Sequence, residues 1–353
     1  MVAPTDALHR TGGAPRWEAP SMTQPEFLRL PTTRADAGVV LVGVPFDATT
    51  SYRPGTAGGP LAVLEASAQV DLEDTRLGRI ADRGIAMEPI EPWIAELSAA
   101  VRPDAEALIE VEGEPPVDEA ARERVNAACE RIRRYTYEHV TQILSEGKTP
   151  GLVGGEHGVP LGAIEACAEH AGEIGILQLD AHMDLRDAYC GLTHSHASIM
   201  RNALTMVSGV KALAQIGIRD YCREELEFSR SAKAEFGKPV TTIFGEHVAD
   251  AGGDPAAFRS LVDRALAALP DAIYVTFDID ALEVYLCPNT GTPVPGGLSF
   301  SQAAAVIQAV IESGKTVAGF DLVEVAPDPD PGVRSIDAVV GARVLYKMCA
   351  LGA

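Results

Sequence analysis

From Gly38 onward the chain gathers its apolar residues into short runs separated by polar, helix-spaced segments. The first run, Gly38-Val39-Val40-Leu41-Val42-Gly43, is β-branched and glycine-bounded, the pattern of a strand buried on both faces. A loop from Pro45 to Pro60 follows it, and residues 61–69 read as a helix with Pro60 in its first turn. Residues 118–145 have helical spacing, with Val125, Ile132, Val140, Ile143 and Leu144 as the apolar face. Between these segments, over about 84–117, Pro89, Pro92, Pro103, Pro115 and Pro116 interrupt any long periodic element, so this stretch reads as an insertion or subunit-contact region. Beyond Lys148 apolar runs at 151–153, 174–179, 213–218, 239–244, 273–277 and 317–323 alternate with helix-spaced segments such as 161–171, 255–268 and 301–313. Strands alternating with helices imply right-handed crossovers and a mostly parallel sheet covered on both faces, an α/β fold in three layers, α-β-α. No internal repeat divides the chain, so residues 36–353 read as one domain behind a flexible N-terminal leader, residues 1–35.

Composition narrows the function. With 46% hydrophobic residues the chain can bury a large core, and no apolar run reaches the roughly 18 to 20 residues needed to span a bilayer. The leader carries Pro, Arg and Glu where a signal peptide needs a continuous apolar stretch, which points to the cytoplasm. A formal charge of −21, from 29 basic against 50 acidic residues, excludes a phosphate backbone as partner and suits a small cationic substrate. The six cysteines are scattered without a Cys-x-x-Cys pair and suggest neither a disulfide framework nor a thiolate zinc site.

The chemistry sits where three apolar runs end. Gly154-Gly155-Glu156-His157-Gly158 follows 151–153, Asp180-Ala181-His182-Met183-Asp184 follows 174–179, and Asp278-Ile279-Asp280 follows 273–277. In a parallel α/β sheet ligands bind beyond the carboxyl ends of the strands. Residues i, i+2 and i+4 of an extended segment share a face, yet Asp180 and Asp184 would then lie about 13 Å apart. Either the chain curls after Asp180 or more than one cation is held, and the Asp278/Asp280 pair supplies more ligands than one ordinary ion takes. Two bridged ions satisfy both constraints. Four Asp and two His without Cys favour a moderately hard cation such as Mn²⁺, with nickel, iron or cobalt as alternatives, and the crowded carboxylates make occupancy pH-dependent.

These motifs closely resemble those of the ureohydrolases, the arginase and agmatinase family. That family is similarly marked by Gly-Gly-(Asp/Glu)-His, Asp-Ala-His-x-Asp and (Ser/Thr)-Phe-Asp-x-Asp, matched here by residues 154–157, 180–184 and 276–280. The likeness extends to 291–298 and 321–327, and at the front 43–47 and 51–56 look like the agmatinase branch; it spans nearly everything from Val39 onward except about 84–117. The resemblance implies an arginase-like fold and a dinuclear centre of two divalent ions, Mn²⁺ or Ni²⁺. His157, Asp180, Asp184 and Asp278 would hold one ion and Asp180, His182, Asp278 and Asp280 the other. Asp184 would also accept a hydrogen bond from the attacking hydroxide, Glu324 would pair with the substrate guanidinium, and His196, rather than its neighbour His194, would shuttle a proton to the leaving amine. The implied reaction is hydrolysis of a guanidino compound to urea and an amine or ammonia. The implied assembly is a homo-oligomer, a trimer or hexamer, with a related subunit as an alternative partner and the 84–117 stretch contributing to assembly or covering the site mouth.

Two stretches depart from the family pattern. Residues 185–192 do not resemble the loop with which arginases read an α-amino acid, which disfavours arginine. Residues 281–289 replace the Asp-Pro and Ala-Pro-Gly pattern common after Asp280 in agmatinases, which opens the choice to guanidine, a guanidino acid, or an alkylated guanidine or biguanide, the first and last with nickel. The rival readings are a regulatory subunit without turnover and a one-zinc deacetylase of related fold; the second Asp-x-Asp pair, together with His157 and Glu324, opposes the deacetylase.

Overall fold

The computed structural model describes residues 26–113, 118–330 and 332–352; residues 1–25 of the expected leader, and Pro115 and Pro116 of the proline-rich stretch, lie outside them. The strands are β1 (Val39–Val44), β2 (Glu73–Asp74), β3 (Gly78–Arg79), β4 (Ile85–Met87), β5 (Thr149–Gly154), β6 (Ile174–Leu179), β7 (Val210–Ile218), β8 (Val240–Phe244), β9 (Ala272–Asp278) and β10 (Thr316–Val323). The helices are α1 (Gly59–Ser67), α2 (Pro92–Glu110), α3 (Glu119–Ser145), α4 (Leu161–Ala171), α5 (Ile199–Met206), α6 (Arg223–Phe236), α7 (Gly245–Asp250), α8 (Pro255–Ala267), α9 (Phe300–Glu312) and α10 (Ile336–Met348). Eight strands form one sheet in the order β4-β1-β5-β10-β9-β6-β7-β8, every pairing parallel, while β2 and β3 make a small antiparallel ribbon.

The apolar runs become central strands because each has two faces to bury. Along β1, Val39 and Leu41 join one core while Val40, Val42 and Val44 join the other; along β9, Ile273, Val275 and Phe277 face one side and Tyr274 the opposite. One core is closed by α1 and α7 to α10, the other by α2 to α6, giving the three α-β-α layers the sequence predicts. Among the described residues no helix is long and apolar enough to cross a membrane.

The proline-rich stretch behaves differently from its sequence reading. Ile85–Met87 forms the edge strand beside β1, and α2 runs for 19 residues straight through Pro103. An internal proline removes one helical hydrogen bond, but Ile94, Ser98, Val101, Ala105 and Leu108 recur at spacings of three and four and are all buried, and the packing of that stripe outweighs the local loss. Part of this stripe positions a loop near the site. The Ser98 hydroxyl accepts from the Asp47 backbone N–H at 3.0 Å and donates to its carboxylate at 3.0 Å, and Arg102 donates to the Ala48 and Thr50 carbonyls at 3.2 and 2.6 Å.

Sheet order decides where the chemistry gathers. β5, β10, β9 and β6 are consecutive neighbours, all parallel, so their carboxyl ends lie along one edge at the centre of the sheet. Pairing of Val323 with Asp278, Leu322 with Val153 and Leu179 with Phe277 brings the residues that follow β5, β6 and β10 level with the end of β9.

Candidate metal centre and active site

His157, Asp180, Asp278 and Glu324 leave the ends of these four neighbouring strands, and the structure brings all of them together. The His157 Nδ1 atom lies 2.9 Å from Asp180 Oδ2, 2.9 Å from Asp184 Oδ2 and 3.4 Å from Asp278 Oδ2. His182 Nδ1 lies 3.0 Å from Asp280 Oδ2 and 3.6 Å from Asp180 Oδ1. Asp180 and Asp184 therefore meet at one point, and the chain does curl after β6: Asp184 has a φ of +54°, a conformation that carries a steric cost for a non-glycine residue. Glu324, directly after β10, is also held at positive φ, +61°. Strain at two acids of one site is what a structure tolerates where position matters more than local stability.

The first motif needs glycine for close approach. A Cβ on Gly155 would stand 2.0 Å from the Phe46 carbonyl oxygen, so only glycine lets this turn lie against the loop after β1. That loop is tied down by Glu156, which is buried and accepts from the Thr49 N–H at 2.7 Å and the Thr49 hydroxyl at 2.8 Å. Burial pushes the Glu156 carboxyl up to about 8.

The carboxylates are held from behind. Asp280 Oδ1 accepts from the Ala181 N–H at 3.0 Å, Asp278 Oδ1 from the Asp280 N–H at 2.8 Å, and Asp180 accepts from the His182 N–H at 2.6 Å and the Gln178 amide at 2.8 Å. In Asp278 and Asp280 the second oxygen is left to face a histidine nitrogen. Behind His157, the Thr276 hydroxyl donates to Asp321 at 2.7 Å and so accepts from His157 Nε2 at 2.8 Å. With a proton on Nε2, a neutral ring, as a metal ligand requires, would turn the Nδ1 lone pair toward three carboxylates.

Such a cluster is not a set of satisfied hydrogen bonds. Although acidic oxygens surround it, His157 Nδ1 has no partner of hydrogen-bonding geometry, and it is buried. Without cations, burial and the neighbouring Asp280 and Asp180 push Asp278 well above the ordinary carboxylate range, and burial and Asp180 push Asp184 up to about 7. Burial would lower both histidines and raise Asp180, but their mutual contacts win, holding His157 and His182 well above neutral range and Asp180 well below its own. Protons are thus doing what cations would do better. Two groups of donors have ligand atoms within 4.8 Å of one another: His157, Asp180 and Asp278, and Asp180, His182 and Asp280. Asp180 belongs to both, and oxygen and imidazole donors without thiolate fit a pair of moderately hard divalent ions.

Glu324 and His196 stand beside this cluster. Glu324 Oε1 accepts from the His157 N–H at 2.8 Å, while Oε2 is buried without a partner, and burial pushes this carboxyl well up. His196 Nδ1 lies 3.8 Å from Glu324 Oε1, and Nε2 lies 3.1 Å from the Ser51 hydroxyl. His194, two residues earlier, turns away to Glu130 at 3.6 Å. Burial, with the nearby His182 and His157, depresses His196 to about 3, so its ring stands neutral at pH 7.

A cavity of about 170 Å³ opens onto the cluster, lined by His157, His182, Asp184, His196 and Asp278 and also by Ser51, Arg186, Tyr189, Asp220, Tyr221, Glu225 and Thr292. Sequence reasoning left most of this second group unassigned. Glu225 accepts from the Leu185 N–H at 3.1 Å and the Cys222 N–H at 2.9 Å, holding the loop after Asp184 to the start of α6; its place three residues into a helix was a readable cue. Asp220 follows the apolar run of β7, the same strand-end signal that marked the three motifs.

Residues 37–350 match the family described as "Arginase family". The chain is 33% identical over 293 residues to an N(1)-aminopropylagmatine ureohydrolase of Thermus thermophilus, covering 83% of this chain and 84% of that one. It is 31% identical to an agmatinase of Pyrococcus horikoshii, covering 92% and 96%. In fold it resembles the solved agmatine ureohydrolase of Thermoplasma volcanium, with a TM-score of 0.68 and 22% identity over 93% of this chain and 94% of that one.

Proposed function

The chain belongs to the arginase family, and from that premise we propose that the cluster at the centre of the sheet edge is the dinuclear site of an agmatinase-like ureohydrolase. Two orphaned atoms carry the reading. His157 Nδ1 faces carboxylates without a hydrogen bond, which suits a metal ligand, and Glu324 Oε2 is a buried acceptor without a donor, which suits a planar cation.

In this assignment His157, Asp180, Asp184 and Asp278 would hold one ion, and Asp180, His182, Asp278 and Asp280 the other. The ions supply, when bound, the Lewis acidity that makes water a nucleophile near neutral pH. Mn²⁺ is favoured by the carboxylate-rich donor set, with Ni²⁺ as the alternative. Glu324 receives the guanidinium through Oε2 and fixes its carbon over the cluster. Asp184, strained into position and facing the cavity, accepts a hydrogen bond from the attacking water and orients it. His196 is neutral, so it acts as a relay: it takes a proton released at the cluster and passes it to the departing amine, its ring held by Ser51. Family resemblance supports a homo-oligomer.

The test is urea release. Purified protein, loaded with Mn²⁺ or Ni²⁺, is offered agmatine, guanidine, 4-guanidinobutyrate, arginine and dimethylbiguanide. Urea from at least one is expected. No urea from any, with two ions bound per chain, would instead support a subunit without turnover.

A further inference from the structure

We propose that α2 positions the proton relay: through Ser98 and Arg102 it fixes the loop after β1, and that loop fixes His196 by both its main chain and its ring. The inference rests on the hydrolase reading above and deepens its account of His196. Left to itself the loop has little to hold it. Over residues 47–51 its main chain makes one internal hydrogen bond, from the Thr50 N–H to the Asp47 carbonyl, and that bond is long at 3.4 Å. Order must come from the side chains of other elements. On the α2 side the Ser98 hydroxyl joins both the N–H and the carboxylate of Asp47, and Arg102 donates to the Ala48 and Thr50 carbonyls that flank Thr49. Arg102 is steadied in turn by Glu106, one turn along the helix, at 2.9 Å. On the opposite side Glu156 accepts from the N–H and the hydroxyl of Thr49. Asp47 also accepts from the Gly55 and Ala57 N–H groups at 2.8 and 3.1 Å, which ties in the far end of the loop.

Thr49 is therefore held from two directions, and it passes that constraint on. Because its hydroxyl proton is committed to Glu156, its oxygen accepts from the His196 N–H at 3.0 Å. Two residues later Ser51 meets His196 Nε2 at 3.1 Å, which leaves Nδ1 on the side of Glu324. Thr49, Glu156 and His196 are all buried, so a lost partner is not replaced by water. A relay has to stay within hydrogen-bond reach of the groups it serves, and a shift of about an ångström at His196 is enough to slow it. Ser98 and Arg102 do not line the cavity, so they are positioning residues that act through the loop. The helix that runs through Pro103 thus serves the site from inside the same chain.

Two measurements separate the brace from the relay. Amide hydrogen exchange of wild type and Arg102→Met, read by mass spectrometry, should quicken about tenfold in peptides covering 47–51 and also in those covering 194–198, while β7 is unchanged. Faster exchange confined to 47–51 overturns the proposal. In agmatine hydrolysis with Mn²⁺, Arg102→Met should keep both ions, hold KM within about twofold and lower kcat about tenfold. Ser98→Ala should act in the same direction, and Arg102→Lys should recover most of the loss. In a His196→Gln background Arg102→Met should lower kcat no further, because the brace acts through His196. Where His196→Gln itself lowers kcat, an unchanged kcat in Arg102→Met, or a full additional loss in the double variant, overturns the proposal and leaves the relay standing. If His196→Gln turns over like wild type, or no guanidino compound yields urea, the relay or the hydrolase reading falls, and the exchange result alone decides whether α2 positions His196.

Discussion

Along β5, β6, β9 and β10 the two ends of the strands obey different rules. Toward their amino ends Ile174, Ile176, Ile273 and Val275 are buried among apolar neighbours from both helical layers. At their carboxyl ends Asp180, Asp278, His157 and Glu324 are equally buried, yet they crowd like charges together, leave Nδ1 and Oε2 without partners, and neighbour a strained Asp184. The apolar half holds the fold together and asks for nothing further. In the proposed reading the polar half is unfavourable by itself and becomes favourable with cations and a guanidinium, which makes stability and function separable along one set of strands.

That separation can be broken most sharply at the bridge. Asp180→Asn should lose both ions, measured by metal analysis, and lower urea formation by about 10³-fold or more, roughly 4 kcal/mol of transition-state stabilisation. Retained ions and turnover would remove Asp180 from both groups. In the apolar half, Ile176→Ala should lower unfolding free energy by about 2–5 kcal/mol in denaturant titration while activity per folded molecule holds. Glu324→Gln should keep two ions and lose about 10²-fold in kcat/KM, since an acidic acceptor for the guanidinium becomes a neutral amide. Loss of metal in this variant would make Glu324 part of the ion cage instead.

The smallest effect is a pH dependence of the metal-free protein's stability, against which the gain from added metal runs in the opposite sense. Burial raises Asp184 to about 7 and Glu156 to about 8, so in chelator-treated protein both bind protons more tightly folded than unfolded. Their contribution is complete below the ordinary carboxylate range and is lost as pH rises through 7 and 8. His157 and His182, raised by the facing acids, act in the same sense, whereas the depressed Asp180 matters only in strong acid. Tm of the chelated protein should therefore fall by a few degrees between pH 6 and 8.5, and the gain on adding Mn²⁺ should grow over the same range because protons no longer compete. A chelated Tm that rises with pH would contradict this.

Much of this division was legible in the sequence, for a physical reason. Central parallel strands are mostly apolar, and although one acid after such a run is common, Asp and His clusters at the ends of three successive runs are not; Asp180, Asp278 and His157 stand out in that way. Sequence spacing could not show that the chain curls at Asp184, because a positive φ at an aspartate leaves no periodic trace. The helix through Pro103 was hidden by a local rule that the stripe from Ile94 to Leu108 overrides through packing. His194 and His196 were separated in sequence only by resemblance; the fold separates them because His196 opens a short helical turn capped by Ser195 while His194 meets Glu130 on α3. Asp220 was overlooked because a single acid after a strand is common, and only its place at the cavity distinguishes it.

The most direct measurement is anomalous diffraction from crystals grown with Mn²⁺. Two peaks are expected in each chain, one bonded to His157 and Asp278, the other to His182 and Asp280, with Asp180 touching both. A single peak, or density away from the ends of β5, β6 and β9, would contradict the account.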